Sequence, residues 1–226
     1  LSFVEDPTRI FRAVRFEQRH GFQIEPQTEN LVRQAIAMDL VGRLTGPRVR
    51  DELILLLLEE TAHSALERLA DFGALKHLHP KLASTGRTKK LFQAVIEYCP
   101  QIEVYFSVKP KRWLINLIIL FAGFKQEELA DWCSEMKLRR VDTEVLKEGA
   151  VKAKNVLKAL SKSTELRNSE LYFLLKGLAR ETIVYLYAAG SARVKQRINL
   201  YLSSLQRTRL EISGRDLIGL GFEPSS

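Results

Sequence analysis

Apolar residues recur at intervals of three and four positions along most of this chain, which is the pattern of helices that bury one face. Strand-like alternation occurs only around 102–108 and is too brief to indicate a sheet. Proline, glycine and N-cap residues divide the pattern into predicted helices, which cover 6–19, 27–38, 46–60, 62–72, 88–98, 111–121, 126–136, 143–160, 169–178, 181–188, 192–205 and 213–216. The chain is therefore predicted to be all-α.

The first predicted helix separates a basic face from an apolar face. Asp6 is expected at the N-cap and Pro7 at the first helical position, because the fixed φ of proline suits a helix start. At about 100° per residue, four arginines lie within an arc of roughly 120°. Stacked arginines repel one another unless an anion lies along them, and a phosphate chain is the obvious candidate. Glu5 and Glu17 could instead neutralise this face, which consists of Arg9, Arg12, Arg15 and Arg19.

Asp6 and Arg9 share one face of this helix, where they could together recognise a nucleobase. Cytosine and adenine each present an exocyclic amine beside a ring-nitrogen acceptor, which a carboxylate and a guanidinium would satisfy. Uracil and guanine present a carbonyl at the place of the amine, which would leave buried polar groups unpaired. The same spacing also fits an N-cap with a surface ion pair, so both interpretations stay open at this point.

Composition indicates a soluble protein with an anionic partner. The chain has 226 residues, of which 46% are hydrophobic, and a formal net charge of +8, which favours a polyanion such as RNA. Cys99 and Cys133 are expected to be reduced core thiols, as in a cytoplasmic protein. The apolar runs 53–58 and 113–123 are too short to span a bilayer, so no membrane partner is expected. The sequence does not indicate the oligomeric state.

Three blocks of the sequence resemble the C-terminal part of class II tRNA nucleotidyltransferases and the related bacterial poly(A) polymerases. They are EDPTRIFRAVRF at 5–16 with HGF at 20–22 and EPQT at 25–28, RVRDEL at 48–53, and SGRDLIGLG at 213–221. Pro47 is a departure, since the family often has an acidic residue before the arginine of the second block. The resemblance implies an elongated, all-α array with a nucleotide-recognising neck at 1–60, a helical body at 61–140 and an RNA-binding tail at 141–226.

The resemblance also implies roles for residues of the first block. Asp6 and Arg9 would pair with the base of incoming CTP or ATP, and Glu5 would orient Arg9. Arg12 and Arg15 would lie toward the triphosphate or the RNA end. The nucleotide-binding residues are thus expected to be these five.

Two further groups of residues have expected roles. The resemblance implies that Arg48 and Glu52 brace the nucleotide-binding helix from behind as structural supports. In the tail, Arg193, Lys195 and Arg197 belong to a basic cluster that is denser than a neutral surface requires. This cluster is expected to contact RNA phosphates, although an ordinary solvated surface would show the same pattern.

Catalytic carboxylates are not apparent. Phosphoryl transfer to a 3′ hydroxyl needs two carboxylates on a strand that hold paired magnesium ions, whereas the one Asp-x-Glu pair, Asp142 and Glu144, lies in a predicted helix. His77 and His79 would diverge on a helix, so no metal site is expected. We therefore expect a C-terminal piece of a longer enzyme, inactive alone, whose upstream catalytic head binds Mg²⁺.

The expected activity is that of a template-independent tRNA nucleotidyltransferase, CCA-adding or A-adding, which extends RNA 3′ ends with CTP and ATP. Its expected partners are tRNA or another RNA 3′ end and the two nucleotides. Two alternatives stay open. Poly(A) polymerases share the first block, and a helical RNA-binding module without catalysis would show the same basic surface.

Overall fold

The computed structural model describes residues 2–82, 85–208 and 218 and contains no β-strand in that range. The predicted all-α class is confirmed. Short 3₁₀ turns lie at Glu103–Tyr105 and Leu205–Arg207, and the α-helices have the following bounds: α1 Ser2–Glu5, α2 Thr8–His20, α3 Pro26–Ala37, α4 Gly46–Leu57, α5 Ala62–Asp71, α6 Leu75–Leu78, α7 Gly86–Ile102, α8 Arg112–Phe121, α9 Gln126–Glu135, α10 Arg140–Lys147, α11 Ala153–Leu160, α12 Asn168–Leu175, α13 Arg180–Ala189 and α14 Ala192–Ser203.

Most predicted helices match observed ones, with ends that differ by a few residues. The single-turn helices α1 and α6 were not predicted, because four residues are too few to show a period. Helix α7 is longer than the predicted 88–98. It begins at a capping box, in which the backbone N–H of Thr85 and that of Thr88 each donate to the side chain of the other residue. It continues past Pro100, which is exposed and lies in the last turn. The predicted helix 213–216 lies outside the described residues.

Helices α10 and α11 form one continuous rod, which begins three residues earlier than the predicted 143–160. A π-helical turn at Glu148–Lys152 joins them. In that turn Gly149 lies against α8, and a Cβ added there would be 2.4 Å from Ile118 Cδ1. The absence of a side chain at Gly149 therefore lets the rod approach α8 more closely than another residue would allow.

Helix α8 is the centre of the core. Its residues from Leu114 to Phe121 are all buried, and α4, α7, α10 and α13 pack around it. The one buried amide among them, Asn116, donates through Nδ2 to Leu57 O at 2.8 Å and so satisfies a carbonyl at the end of α4. At the start of α8, Lys111 donates its backbone N–H to Glu181 Oε1 and its Nζ to Asp142 Oδ1. Lys111 thus has structural partners at the start of a helix.

The predicted boundaries at 60 and 140 do not coincide with gaps in the packing. Helix α2 contacts α5 across the first boundary. Across the second, α7 contacts α13, and α8 contacts both α10 and α13. Cys99 and Cys133 are free and buried, and burial raises the pKa of both thiols, which agrees with reduced core cysteines. None of the described helices is both long and apolar enough to cross a lipid bilayer.

Candidate nucleotide-recognition site

Helix α2 presents its arginines because its other face is the buried one. Ile10, Phe11 and Val14 are 0% exposed and pack against α4 and α5. Burying side chains of this size contributes about 1.5–3 kcal/mol each. The apolar contacts therefore fix the rotation of α2 about its axis and leave the basic face outward.

The Asp6 carboxylate accepts its hydrogen bonds through one oxygen. Thr8 donates its backbone N–H and its hydroxyl to Asp6 Oδ1, at 3.2 and 2.6 Å. The Thr8 hydroxyl, and then the charges of Arg48 and Arg9, hold the pKa of the Asp6 carboxyl below its usual range. Within the described structure Asp6 Oδ2 accepts no hydrogen bond, so it remains an available acceptor beside the start of α2.

The predicted position of the helix start is corrected by the structure. Helix α2 begins at Thr8 with Pro7 as its N-cap, not at Pro7 with Asp6 as its N-cap. Pro7 already has helical φ and ψ of −64° and −15°, because α1 leads into a turn in which Arg9 N–H donates to Asp6 O. The Asp6 carboxylate nevertheless caps the helix through the Thr8 N–H, as an Asx turn does.

Arg48 contacts the Asp6 carboxylate directly. Its Nη2 donates to Asp6 Oδ1 at 2.8 Å, and the two side chains are 53% and 27% exposed. The resemblance implied a support from behind the helix, whereas the structure places Arg48 against the carboxylate that was predicted to read the base.

Three arginines of the basic face have no acidic partner. Arg9, Arg12 and Arg15 make no ion pair within 4 Å among the residues the structure describes, and Glu5 does not reach Arg9. Glu17 does not neutralise them either, because its buried carboxylate pairs with Arg68 at 3.0 Å. Arg19 pairs with Glu59 at 3.4 Å. The face that begins at Asp6 is therefore open to an anion.

Arg15 of α2 and Glu52 of α4 each have a buried polar atom that makes no hydrogen bond in the described part of the chain. These atoms are Arg15 Nε and Glu52 Oε2. Burial raises the pKa of the Glu52 carboxyl, while the charges of Arg15 and Arg12 oppose that shift. Buried polar atoms usually have hydrogen-bond partners, so these two atoms are positions where a water or a polar ligand could be accommodated.

Several known proteins are similar to this chain. Residues 21–85 match the family described as "Probable RNA and SrmB-binding site of polymerase A". An A-adding tRNA nucleotidyltransferase of Geobacter sulfurreducens is 33% identical over 98% of this chain and 26% of its own length. A CCA-adding enzyme of Thermotoga maritima, solved in complex with tRNA, is 33% identical with a TM-score of 0.80 over 100% of this chain and 55% of its own. A CCA-adding enzyme solved with ATP gives 33% identity and a TM-score of 0.81 over 100% of this chain and 54% of its own.

The chain belongs to the tRNA nucleotidyltransferase and poly(A) polymerase family. It spans about a quarter of the length of the Geobacter relative and about half of the two solved structures. The match to the RNA-binding family model covers α3, α4 and α5, and so includes Arg48 and Glu52.

Arg193, Lys195 and Arg197 are the tail cations that were expected to bind RNA. Two of them have partners within the protein. Arg197 donates to Leu160 O, Lys162 O and Thr164 O, at 2.7, 3.0 and 2.7 Å, and so satisfies carbonyls at the end of α11. Lys195 Nζ lies 3.3 Å from the centroid of the Tyr98 ring. Arg193 is exposed and makes no ion pair in the region described. Contact with RNA stays a prediction for all three.

Within the described ranges, no three His, Cys, Asp or Glu side chains are grouped so that they could hold a metal ion. His77 lies in α6, whereas His79 follows it with an extended backbone, so the two are not on one helix as predicted, and their rings have different partners. His77 Nδ1 lies 3.2 Å from Asp39 Oδ1, whereas His79 Nδ1 accepts the Lys81 N–H and its ring packs edge-on against Phe124.

The sequence reasoning did not single out Thr8, although Thr8 makes two of the three hydrogen bonds to the candidate base-reading carboxylate. An Asp-x-Thr sequence at a helix start is a signal that could have identified it, because such residues form Asx turns with their own backbone. The direct contact between Arg48 and Asp6 has no such local signal.

Proposed function

We propose that this chain is the nucleotide-selecting and RNA-binding part of a template-independent tRNA nucleotidyltransferase, CCA-adding or A-adding, which extends RNA 3′ ends with CTP and ATP. The observation that carries the proposal is the exposed face of α2, where three arginines without acidic partners follow a carboxylate that keeps one oxygen free. The family membership of the chain supports the same activity.

Base selection would use Asp6 and Arg9. The free Oδ2 of Asp6 would accept the exocyclic amine of cytosine or adenine, and Arg9 would donate to the neighbouring ring nitrogen. Thr8 and Arg48 hold Oδ1, so the carboxylate cannot rotate without losing three hydrogen bonds. Because Arg48 and Thr8 also keep Asp6 ionised, it would reject the carbonyl of uracil or guanine at the same place.

The nucleotide phosphates would lie along Arg12 and Arg15. A guanidinium binds phosphate through two parallel N–H donors, and the unsatisfied Arg15 Nε is one such donor. The charge of Glu52 on α4 attracts Arg15 and Arg12 and would reduce the repulsion between their guanidinium groups when no phosphate is bound. Glu5 does not contact Arg9, and an orienting role would require both side chains to move on binding.

We assign the selection of the nucleotide to a neck at 1–60 and the holding of RNA to a body at 61–140 and a tail at 141–226. The net charge of +8 favours this division of work, because RNA phosphates attract basic surfaces. Arg193 is the tail cation whose exposure best suits a phosphate contact. The complete protein would act on tRNA in the cytoplasm.

Phosphoryl transfer in such an enzyme is assisted by paired magnesium ions. The residues described here do not fit them, since they provide no cluster of carboxylates with the required spacing. We propose that the metal-binding carboxylates belong to another part of the complete protein. The residues of this chain would select the nucleotide, orient it and hold the RNA.

A poly(A) polymerase is the second candidate, and the description of the matched RNA-binding family favours it. The two candidates differ in the RNA that the body and tail hold. Binding of this chain to tRNA and to an unstructured RNA of the same length, titrated against salt, separates them. A preference for tRNA supports the tRNA enzyme, and equal binding supports a poly(A) polymerase or a general RNA-binding module.

A further inference from the structure

Three aromatic side chains form an exposed stack at the C-terminal end of α2. The ring centroids of Phe16 and His20 are 6.0 Å apart with an angle of 18° between the planes, and those of His20 and Phe22 are 5.4 Å apart at 25°. Phe16 is 40% exposed, Phe22 is 68% exposed, and His20 is exposed as well. We refer to these three residues as the aromatic ladder. An exposed group of aromatic rings, two of them apolar, on a folded protein is typical of a binding surface.

The position of Phe22 in the ladder is built into the fold. Gly21 adopts the left-handed φ of +66°, which turns the chain back toward α2. The Phe22 N–H donates to Glu17 O at 3.0 Å, and two residues later the Ile24 N–H donates to Glu17 Oε1 at 3.0 Å. Glu17 is in turn held by Arg68 of α5. The ladder is therefore formed before any partner binds, which reduces the entropy cost of binding.

The groups around the ladder are those that bind single-stranded nucleic acid. Arg15 Cζ lies 5.2 Å from the centroid of the Phe16 ring, and the Arg19 side chain is 54% exposed. Aromatic faces stack on bases while neighbouring cations follow the phosphates. Beside Phe22, a cavity of about 590 Å³ is lined in part by the amides of Gln18 and Gln23, which offer donors and acceptors to a base edge.

We propose that the aromatic ladder stacks on an unpaired base of a single-stranded RNA segment, with the exposed Arg19 on its phosphates. The ladder begins ten residues after Asp6, about 15 Å along the chain at the helical rise. That the ligand is RNA rests on the proposed function. The inference adds an RNA contact on α2 itself, beside the contacts proposed for the body and tail.

The test uses this 226-residue chain and a six-nucleotide single-stranded RNA that contains the fluorescent base 2-aminopurine. Stacking on the ladder is expected to quench its fluorescence. The variant Phe22→Ala should weaken binding by about tenfold, because stacking on one aromatic residue contributes about 1–3 kcal/mol per base. The quenching should be lost as well, and Phe22→Tyr should restore both. The slope of affinity against salt should not change, since a lost stacking contact releases no counterions.

Met38→Ala is the matched control, because Met38 is another exposed apolar side chain of the neck, 54% exposed, and lies outside the ladder and the body and tail that hold RNA. It should leave affinity and quenching unchanged, and circular dichroism should show intact helices in all variants. Equal affinity and equal quenching in the original chain and in Phe22→Ala would overturn the inference while leaving the proposed function in place. Failure of the original chain to bind any RNA would overturn both.

Discussion

Arg48 Nη2 lies 2.8 Å from Asp6 Oδ1, and this ion pair joins α4 to the turn before α2, 42 positions earlier in the chain. Together with Thr8 it occupies one carboxylate oxygen and leaves the other without a hydrogen bond in the described part of the chain. The second sequence block thereby orients the first. The predictions below follow from this arrangement and from the way α2 is held in place.

Replacing Arg48 should affect selection of the nucleotide more than stability. The pair with Asp6 is half-exposed, and pairs of this kind contribute less than about 1 kcal/mol to folding. Arg48→Ala should therefore change the free energy of unfolding by less than that amount, while an active enzyme containing this chain loses part of its preference for CTP and ATP over UTP. Lys81→Ala, which breaks another exposed pair with Glu128, is the control and should change neither quantity.

Arg68 should be needed for folding of the neck. It bonds the buried Glu17 carboxylate, whose side chain is 5% exposed, and Glu29 as well. Arg68→Ala leaves Glu17 buried without its cation, which should cost roughly 3–5 kcal/mol in urea unfolding. Arg33→Ala removes an exposed cation from the same Glu29 and should cost less than about 1 kcal/mol. Equal losses in the two variants would show that burial of Glu17 is not the cause.

Glu52 should make the chain less stable as the pH rises. Burial raises the pKa of its carboxyl in the folded state above the reference value of 4.5, so the folded state binds the proton more tightly than the unfolded state. The contribution of Glu52 to stability is therefore present below about pH 4.5 and is lost as the pH rises through the folded pKa. Urea unfolding of the original chain and of Glu52→Gln across this range checks it. As the pH rises, the unfolding free energy of the original chain should fall relative to that of Glu52→Gln. A relative increase would contradict the assignment.

Replacing Arg193 should affect RNA binding, and replacing Arg197 should affect stability, although the two residues lie one helical turn apart. Arg193→Ala should leave stability unchanged and reduce the slope of log affinity for RNA against log salt by about 0.7–0.9, as loss of one phosphate contact does. Arg197→Ala removes three hydrogen bonds to carbonyls near the end of α11 and should cost about 2 kcal/mol of stability. An unchanged salt slope in Arg193→Ala would exclude a phosphate contact at this residue.

The helices and the basic face of α2 could be predicted from the sequence because both are local. Ile10, Phe11 and Val14 recur at helical spacing on the side opposite Arg9 and Arg12, so a period of 3.6 residues separates the two faces without any knowledge of neighbours. The start of α2 was placed one residue too early, because the preceding turn of α1 was too short to leave a pattern.

The partners of the tail cations could not be predicted, since they depend on which helix end packs nearby. Arg197 reaches carbonyls 33–37 residues earlier in the chain, and Lys195 covers the ring of Tyr98 on α7. A basic residue on a helix surface looks the same in sequence whether it contacts RNA or a neighbouring helix. The same holds for Arg48, whose contact with Asp6 requires α4 to lie beside the start of α2.

The most direct test of the central claim is nucleotide discrimination by an active enzyme that contains this chain, measured as the relative rates of incorporating CMP, AMP and UMP at an RNA 3′ end. Asp6→Ala removes the acceptor for the exocyclic amine, and a hydrogen bond to a charged group is worth about 1.5–3 kcal/mol. The preference for CTP and ATP over UTP should therefore fall by roughly tenfold or more. Unchanged discrimination in Asp6→Ala, in a variant that still adds nucleotides, would contradict the account.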